Sequence, residues 1–171
     1  MSSRILWVVL LVIFPACLYA QMEPAAVSDF FFPDLIPEKS INVPAFTKND
    51  GFTTHEEMMS FLANLQKEHP SLIKIENVGY TQRGLGIPLV TVKSDTRTDK
   101  IRLFYCARVH GNEPSGTEAM LYFIRQMAED PSLRYLLDKL AFYILPLVNG
   151  DGAYDDDRLS ANRININRDM T

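Results

Sequence analysis

The chain has 171 residues and a formal net charge of −4, from 17 basic and 21 acidic residues that are mixed along its length. The basic residues form no cluster, and this argues against nucleic acid as a partner. Neither an internal repeat nor a low-complexity tract is present, so a globular domain is expected.

The first twenty residues have the pattern of a secretory signal peptide. Arg4 supplies a positive start, residues 5–14 form an unbroken apolar run, and Ala20-Gln21 offers a cleavage point. This run is too short for a comfortable membrane span. We therefore predict a secreted protein, extracellular or periplasmic, with no stable membrane span after signal removal. A lipid anchor on Cys17 is the alternative, because the residues before it faintly resemble a lipoprotein cleavage box.

Removal of residues 1–20 leaves about 150 residues, enough for one domain with a hydrophobic core. Cys106 is then the only cysteine, so no intramolecular disulfide can form, and its apolar surroundings predict a buried, inert thiol. Residues 21–49 contain four prolines and show no clear period, which predicts an extended arm or a leading linker.

The predicted elements begin with a helix that Thr53 or Thr54 opens through a capping box and that Pro70 ends. His55 and His69 lie at the two ends of this helix, off its apolar stripe, and are expected to be solvated rather than metal ligands. Two strands follow, at residues 72–78 and 87–92, and the short glycine-rich turn between them predicts antiparallel pairing.

The second half of the chain alternates between apolar strands and helices. Strand 101–107 is followed by a helix over 115–128, a second helix opened by Asp130-Pro131, and an apolar strand over 141–148. These strands predict an α/β fold with a mixed, largely parallel sheet covered by helices on both faces. Each apolar strand is also expected to have a neighbouring strand on both sides.

A histidine and a glutamate, His110 and Glu113, lie between the first of these apolar strands and the helix after it. In open α/β sheets ligands bind at this carboxyl end of a strand. Imidazole and carboxylate three residues apart suit a divalent metal, and zinc first. A loop histidine beside a helix-entry carboxylate explains so short a pattern equally well.

Residues 149–169 form a long polar loop after a buried strand, a position that is often functional. Arginines with asparagine between them suit a site for a carboxylate and a developing oxyanion. Taken alone, the loop fits a solvated surface segment with ion pairs better.

The combination is more specific than its parts. The strand–His-x-x-Glu–helix unit, the Asn-x-Asp-Gly turn at 149–152 and the Asn167-Arg168 pair resemble the zinc carboxypeptidase family in order and spacing, from about residue 50 onwards. The resemblance implies one zinc ion held by His110 and Glu113.

The same resemblance implies roles for three residues of the polar loop. Arg158 matches the arginine that polarises the scissile carbonyl, and Asn167 with Arg168 matches the pair that holds the substrate's C-terminal carboxylate. The family's second histidine ligand, gating tyrosine and general-base glutamate lie further on than Thr171. We therefore expect residues 50–171 to be a partial catalytic domain whose third zinc ligand lies outside this sequence.

Three positions depart from the family pattern: Gly150 replaces a usual proline, Asn165 a usual aspartate, and Met170 a common aromatic residue. None of them removes a chemical group from the implied site.

The function expected from the resemblance is a zinc-dependent metallocarboxypeptidase that hydrolyses C-terminal residues from peptides with a free carboxylate. One alternative is a hydrolase of the same family that acts on peptidoglycan stem peptides or another amide. Another is a non-catalytic module that grips peptide C-termini with Asn167 and Arg168.

Overall fold

The computed structural model describes residues 42–169. The signal peptide, Cys17 and residues 21–41 of the predicted arm lie outside the described residues and stay predictions. The helices are α1 (Pro44–Thr47), α2 (His55–Glu68), α3 (Ser115–Glu129), α4 (Arg134–Lys139) and α5 (Gly150–Tyr154), with 3₁₀ turns at Pro131–Leu133 and Ile166–Arg168. The strands are β1 (Ile73–Tyr80), β2 (Gly86–Val92), β3 (Ile101–Cys106) and β4 (Leu140–Leu145). No described helix combines the length and apolar character that a membrane span needs.

The four strands form one sheet in the order β1–β2–β4–β3. β1 pairs antiparallel with β2 as predicted, β2 pairs antiparallel with β4, and β4 pairs parallel with β3. The predicted mixed α/β fold is confirmed. Within the described residues only β3 and β4 pair in parallel, and the other two strand pairs are antiparallel. The part of the sheet that these residues form is therefore not largely parallel, contrary to the expectation.

β4 lies inside the sheet and β3 lies at its edge. The expected strand on each side is therefore found for β4, whereas β3 has a single neighbour among the described strands. Phe104 is 62% exposed, and Cys106 is exposed as well. The prediction of a buried thiol is wrong, because an apolar run indicates a strand but not whether that strand is central or at an edge.

The hydrophobic core forms where α2 and α3 pack on the sheet. Met58 and Leu62 of α2 and Leu121 and Ile124 of α3 are fully buried. Each such side chain stabilises the fold by about 1.5–3 kcal/mol relative to an exposed one. The i, i+3, i+4 spacing of these residues in the sequence places them on one face of each helix.

The capping box of α2 is built by Thr54 and Glu57. Thr53 has another role: it is buried, and both its amide and its hydroxyl donate to the carboxylate of Glu118 at 2.8 and 2.6 Å. Of the predicted arm, the described part includes the helical turn α1, and Val43 before it lies in the core. The packed domain thus includes residues before position 50.

Candidate active site

The loops after β3 and β4 run side by side, and this brings the two polar segments of the chain together. The backbone ladder continues past the strands, since Val148 N–H donates to Ala107 O at 3.0 Å and Asn149 N–H to Arg108 O at 3.1 Å. Because β3 and β4 are parallel, both deliver their loops to the same edge of the sheet. His110 and the turn that starts at Asn149 therefore lie close together.

Two glycines make this close approach possible. A Cβ on Gly111 would lie 2.0 Å from the carbonyl carbon of Gly152. A Cβ on Gly152 would lie 2.5 Å from both Asn149 Nδ2 and Leu159 O. The backbones of the His-Gly-Asn-Glu and Asn-Gly-Asp-Gly segments are in direct contact, and only glycine fits where they meet.

The side chains of His110 and Glu113 converge. His110 is 7% exposed, and its Nδ1 lies 3.1 Å from each carboxylate oxygen of Glu113. On the other side of the ring, Nε2 lies 3.2 Å from Asn165 Oδ1. An amide oxygen only accepts hydrogen bonds, so this contact places a proton on Nε2.

This arrangement fits a bound cation. His110 Nδ1 and the two carboxylate oxygens lie so close together that a proton lies between them as a hydrogen bond, and a metal ion can take the place of that proton. One imidazole nitrogen and a carboxylate belong to the donor set that zinc prefers. Among residues 42–169 no third His, Cys, Asp or Glu forms a ligand cluster with this pair.

Arg158 completes the described cluster. Its Nη1 donates to Glu113 Oε1 at 2.8 Å. The hydrogen bond from His110 and then that from Arg158 hold the pKa of the Glu113 carboxyl below its ordinary value. The carboxylate therefore remains ionised and available as a metal ligand down to lower pH than a free glutamate.

Asn167 and Arg168 lie in the 3₁₀ turn Ile166–Arg168, which Asn165 caps by accepting from Asn167 N–H at 3.2 Å. Both side chains are exposed. Arg168 Nη1 makes a long contact of 3.5 Å with Asn167 O. The structure thus brings His110, Glu113 and Arg158 together, and Asn165 links the Asn167-Arg168 turn to His110.

Two features of the site were missed in the sequence. Asn165 was noted only as a departure from a family pattern. Its position between Arg163 and Arg168 in the polar loop could have marked it as a candidate site residue. Arg83, in the turn between β1 and β2, donates to Asp155 Oδ1 at 2.8 Å and lies 5.4 Å over the Tyr154 ring. Nothing in the sequence links that turn to α5, since the partners are 72 residues apart.

The other two histidines lie apart from this cluster. His55 is half-buried rather than solvated as expected, and its Nε2 lies 2.7 Å from Gly86 O. His69 lies near Glu68 and Glu129, and one potential metal-binding atom from each of these three residues lies within 4.8 Å of the other two. This second group is largely exposed, and Arg125 already pairs with Glu129 at 2.8 Å.

Comparison with known proteins defines the class to which this fold and site belong. A family model described as zinc carboxypeptidase matches residues 58–168, more than half of the chain. The chain belongs to the zinc carboxypeptidase family, and the match covers the N-terminal part of the family's catalytic domain.

Among similar proteins, carboxypeptidase M of Mus musculus is 25% identical in an alignment of length 133 that covers 68% of this chain and 30% of the relative. Carboxypeptidase 2 of Trichophyton rubrum is 26% identical in an alignment of length 170 that covers 89% of this chain and 31% of the relative. The chain thus spans about a third or less of the length of these relatives.

Solved structures give the same fold. A metallo-carboxypeptidase from Burkholderia cenocepacia matches with a TM-score of 0.57 and 26% identity, over 66% of this chain and 31% of that one. Carboxypeptidase A from Helicoverpa armigera matches with a TM-score of 0.59 at 24% identity, over 64% of this chain and 29% of that one, and supports the fold alone.

Proposed function

We propose that the protein is a secreted zinc-dependent metallocarboxypeptidase that removes C-terminal residues from peptides. The observation that carries the proposal is the convergence of His110 Nδ1 with both oxygens of Glu113, with the opposite ring nitrogen held by Asn165. Membership of the zinc carboxypeptidase family supports the identity of the metal.

In this proposal His110 and Glu113 supply two of the zinc ligands, and bound zinc polarises a carbonyl and a water molecule. The fixed Nε2–H···Oδ1 contact keeps the Nδ1 lone pair directed at the metal. The remaining ligand and the base that accepts the water's proton come from outside residues 42–169.

The two arginines have different tasks. Arg158 donates a hydrogen bond to the carboxylate of a proposed zinc ligand, and its fixed positive charge would stabilise negative charge that develops on a substrate carbonyl oxygen there. Arg168 and Asn167 are both exposed, and the guanidinium of Arg168 offers a bidentate fork to a terminal carboxylate, to which the Asn167 amide can add a donor. A free C-terminus is therefore the recognition element of the proposed substrate.

The test uses the natural gene product with its signal peptide removed. We expect it to bind zinc and to release the C-terminal residue of an N-acylated dipeptide but not of its C-terminal amide. His110→Ala should abolish both zinc binding and turnover, whereas the matched variant His69→Ala should retain them. Equal zinc uptake and turnover by wild type and His110→Ala would refute the proposal.

Substrate recognition is tested separately. Arg168→Ala should lower kcat/KM for free-carboxylate peptides by one to two orders of magnitude, since a charge-assisted hydrogen bond contributes about 1.5–3 kcal/mol. Binding of free C-termini without hydrolysis in a zinc-loaded protein would instead identify a non-catalytic module.

A further inference from the structure

A cavity separate from the proposed zinc site lies between the start of α2 and the helix α5. Its volume is about 420 Å³, enough for a small organic molecule. The apolar part of its wall comes from Phe52, Ala153 and Tyr154, and the polar part includes Arg108 and Asp156. His110, Glu113 and Arg158 do not line it.

Arg108 is the unusual group in this wall. It is only 8% exposed, and its backbone has a positive φ of 51°. Nε donates to Gly111 O at 2.7 Å. Within residues 42–169 neither terminal nitrogen of this guanidinium has a hydrogen-bond or ion-pair partner. A buried arginine is normally paired, because an uncompensated buried charge is strongly unfavourable.

Arg108 is one of the residues that line the cavity. Among the described residues the only buried side-chain atom sealed from solvent without a partner is Asp151 Oδ1. The Arg108 nitrogens are therefore accessible, and the cavity is the space that Arg108 lines. The guanidinium presents a fork with several free N–H donors to whatever occupies the cavity.

The acidic side chains near Arg108 in the described part of the chain do not pair with its guanidinium, so an anion can still bind to it. The Glu118 carboxylate is already held by the amide and hydroxyl of Thr53. Asp156 is exposed and makes no ion pair with the guanidinium. The cavity wall also contains Thr54 and His55 at the N-terminus of α2, whose dipole favours negative charge.

We propose that this cavity binds a small monocarboxylic acid with an apolar body. The planar fork of Arg108 matches a carboxylate in a bidentate pair. The walls formed by Phe52, Ala153 and Tyr154 pack against the apolar part of the ligand. This site takes a free acid and is independent of the zinc site, so either proposal stands if the other fails.

The probes are phenylacetate and its neutral isostere phenylacetamide, titrated calorimetrically into the whole chain after signal removal. We expect saturable binding of phenylacetate and at least tenfold weaker binding of the amide, because only the carboxylate pairs with Arg108. The titrations are made in the Arg168→Ala background, which removes the proposed fork for a terminal carboxylate, so that the remaining binding reports on the cavity. Equal affinity for the two probes, or no saturable binding of phenylacetate in this background, would overturn the proposal.

A gain-of-binding variant avoids the risk of misfolding. Asp156 has a φ of 51°, which asparagine tolerates at least as well as aspartate. Asp156→Asn removes the repelling charge beside the cavity and should tighten phenylacetate binding roughly two- to fivefold. Asp95→Asn makes the same change in net charge at a distant, 85% exposed side chain and should have no effect. An equal change in both variants, or none in Asp156→Asn, would contradict the site.

Filling the cavity is the complementary test. Ala153→Leu adds volume to the wall while leaving Arg108 in place, and phenylacetate binding should be lost at an unchanged thermal transition. Full binding by a folded Ala153→Leu protein would refute the location. Should this variant fail to fold, the Asp156→Asn result decides.

Discussion

At the scale of single residues, Asn165 has the largest influence on the proposed metal centre without being a ligand itself. Its Oδ1 is 3.2 Å from His110 Nε2, and the same oxygen caps the turn that carries Asn167. Outer-sphere partners of this kind orient a ligating imidazole and increase its basicity. An amide does so more weakly than the carboxylate of aspartate, because it carries no negative charge.

We predict that Asn165→Ala weakens zinc binding about 10- to 100-fold, because His110 then loses its fixed orientation. Asn165→Asp should strengthen zinc binding, since aspartate keeps the cap and adds a charge. Equilibrium dialysis against zinc measures both. Asn162→Ala, at an exposed position in the same loop, is the matched control. Identical affinities for the Ala and Asp variants would show that Asn165 acts only on the turn.

At the scale of elements, the start of α2 depends on an ionised carboxylate. Glu57 accepts from Thr54 N–H at 2.8 Å, and Lys48 donates to the same carboxylate at 2.8 Å. The hydrogen bond from Lys48, followed by that from Thr54, lowers the pKa of Glu57 from its ordinary 4.5. Because the folded pKa is depressed, this stabilisation is present above pH 4.5 and is lost as the pH falls through the folded value.

Glu57→Gln should therefore be less stable than wild type at neutral pH, and the difference should shrink below pH 4.5. Urea unfolding across this pH range measures it. Lys48→Met removes the largest cause of the shift and should reduce the pH dependence. A constant difference between wild type and Glu57→Gln down to pH 2 would contradict the linkage.

The strand β3 is the exposed apolar edge of the described sheet. Phe104 and Ile101 are 62% and 64% exposed, and β3 has no strand on its outer side among residues 42–169. Such an edge is a template for pairing with another chain, and a lysine on it prevents that.

We predict that Phe104→Lys lowers concentration-dependent self-association of the chain in sedimentation velocity. Tyr135→Lys is the matched control, because Tyr135 is equally exposed at 62% but lies on α4. A monomeric wild type, or an equal effect of both substitutions, would show that the β3 edge is not a contact surface.

At the scale of the whole molecule, the candidate active site forms because the loops after β3 and β4, which are distant in sequence, pack against each other. Gly111 and Gly152 lie in backbone contact, so neither loop can shift without the other. The turn between β1 and β2 adds a third segment, since Arg83 pairs with Asp155 beyond α5. The proposed metal centre is thus stabilised by contacts that close long stretches of chain.

Gly111→Ala should destabilise the fold by about 3 kcal/mol or more, because its Cβ would lie 2.0 Å from backbone that cannot move away easily. Gly79→Ala is the control, since nothing lies within 4 Å of the added Cβ. Thermal unfolding compares the two. Similar transitions for both variants would mean that the loops separate more readily than the structure indicates.

Local patterns were sufficient to predict the longer helices and the four strands in their order, but not the short helices α1 and α5, which fall in the predicted arm and the predicted polar loop. The capping residues of α2, the strands around the glycine-rich turn and the helix after His110 all depend on neighbours within a few positions. The His-x-x-Glu spacing was equally local, and the structure brings those two side chains together. The role of Asn165 was not predictable in this way, because its partner His110 is 55 residues away.

By itself, then, the sequence determined the longer helices, the strands, the family and the residues of the His110–Glu113 pair, because these follow from short-range periodicity and motif spacing. Only the tertiary structure decided that β3 is an edge, that Cys106 is exposed, and that Arg108 is buried beside a cavity. Burial and strand position depend on what packs against a segment, and those partners are distant in the chain. For the same reason the sequence did not indicate that Arg158 donates a hydrogen bond to Glu113, which is 45 residues away, or that Arg168 is exposed.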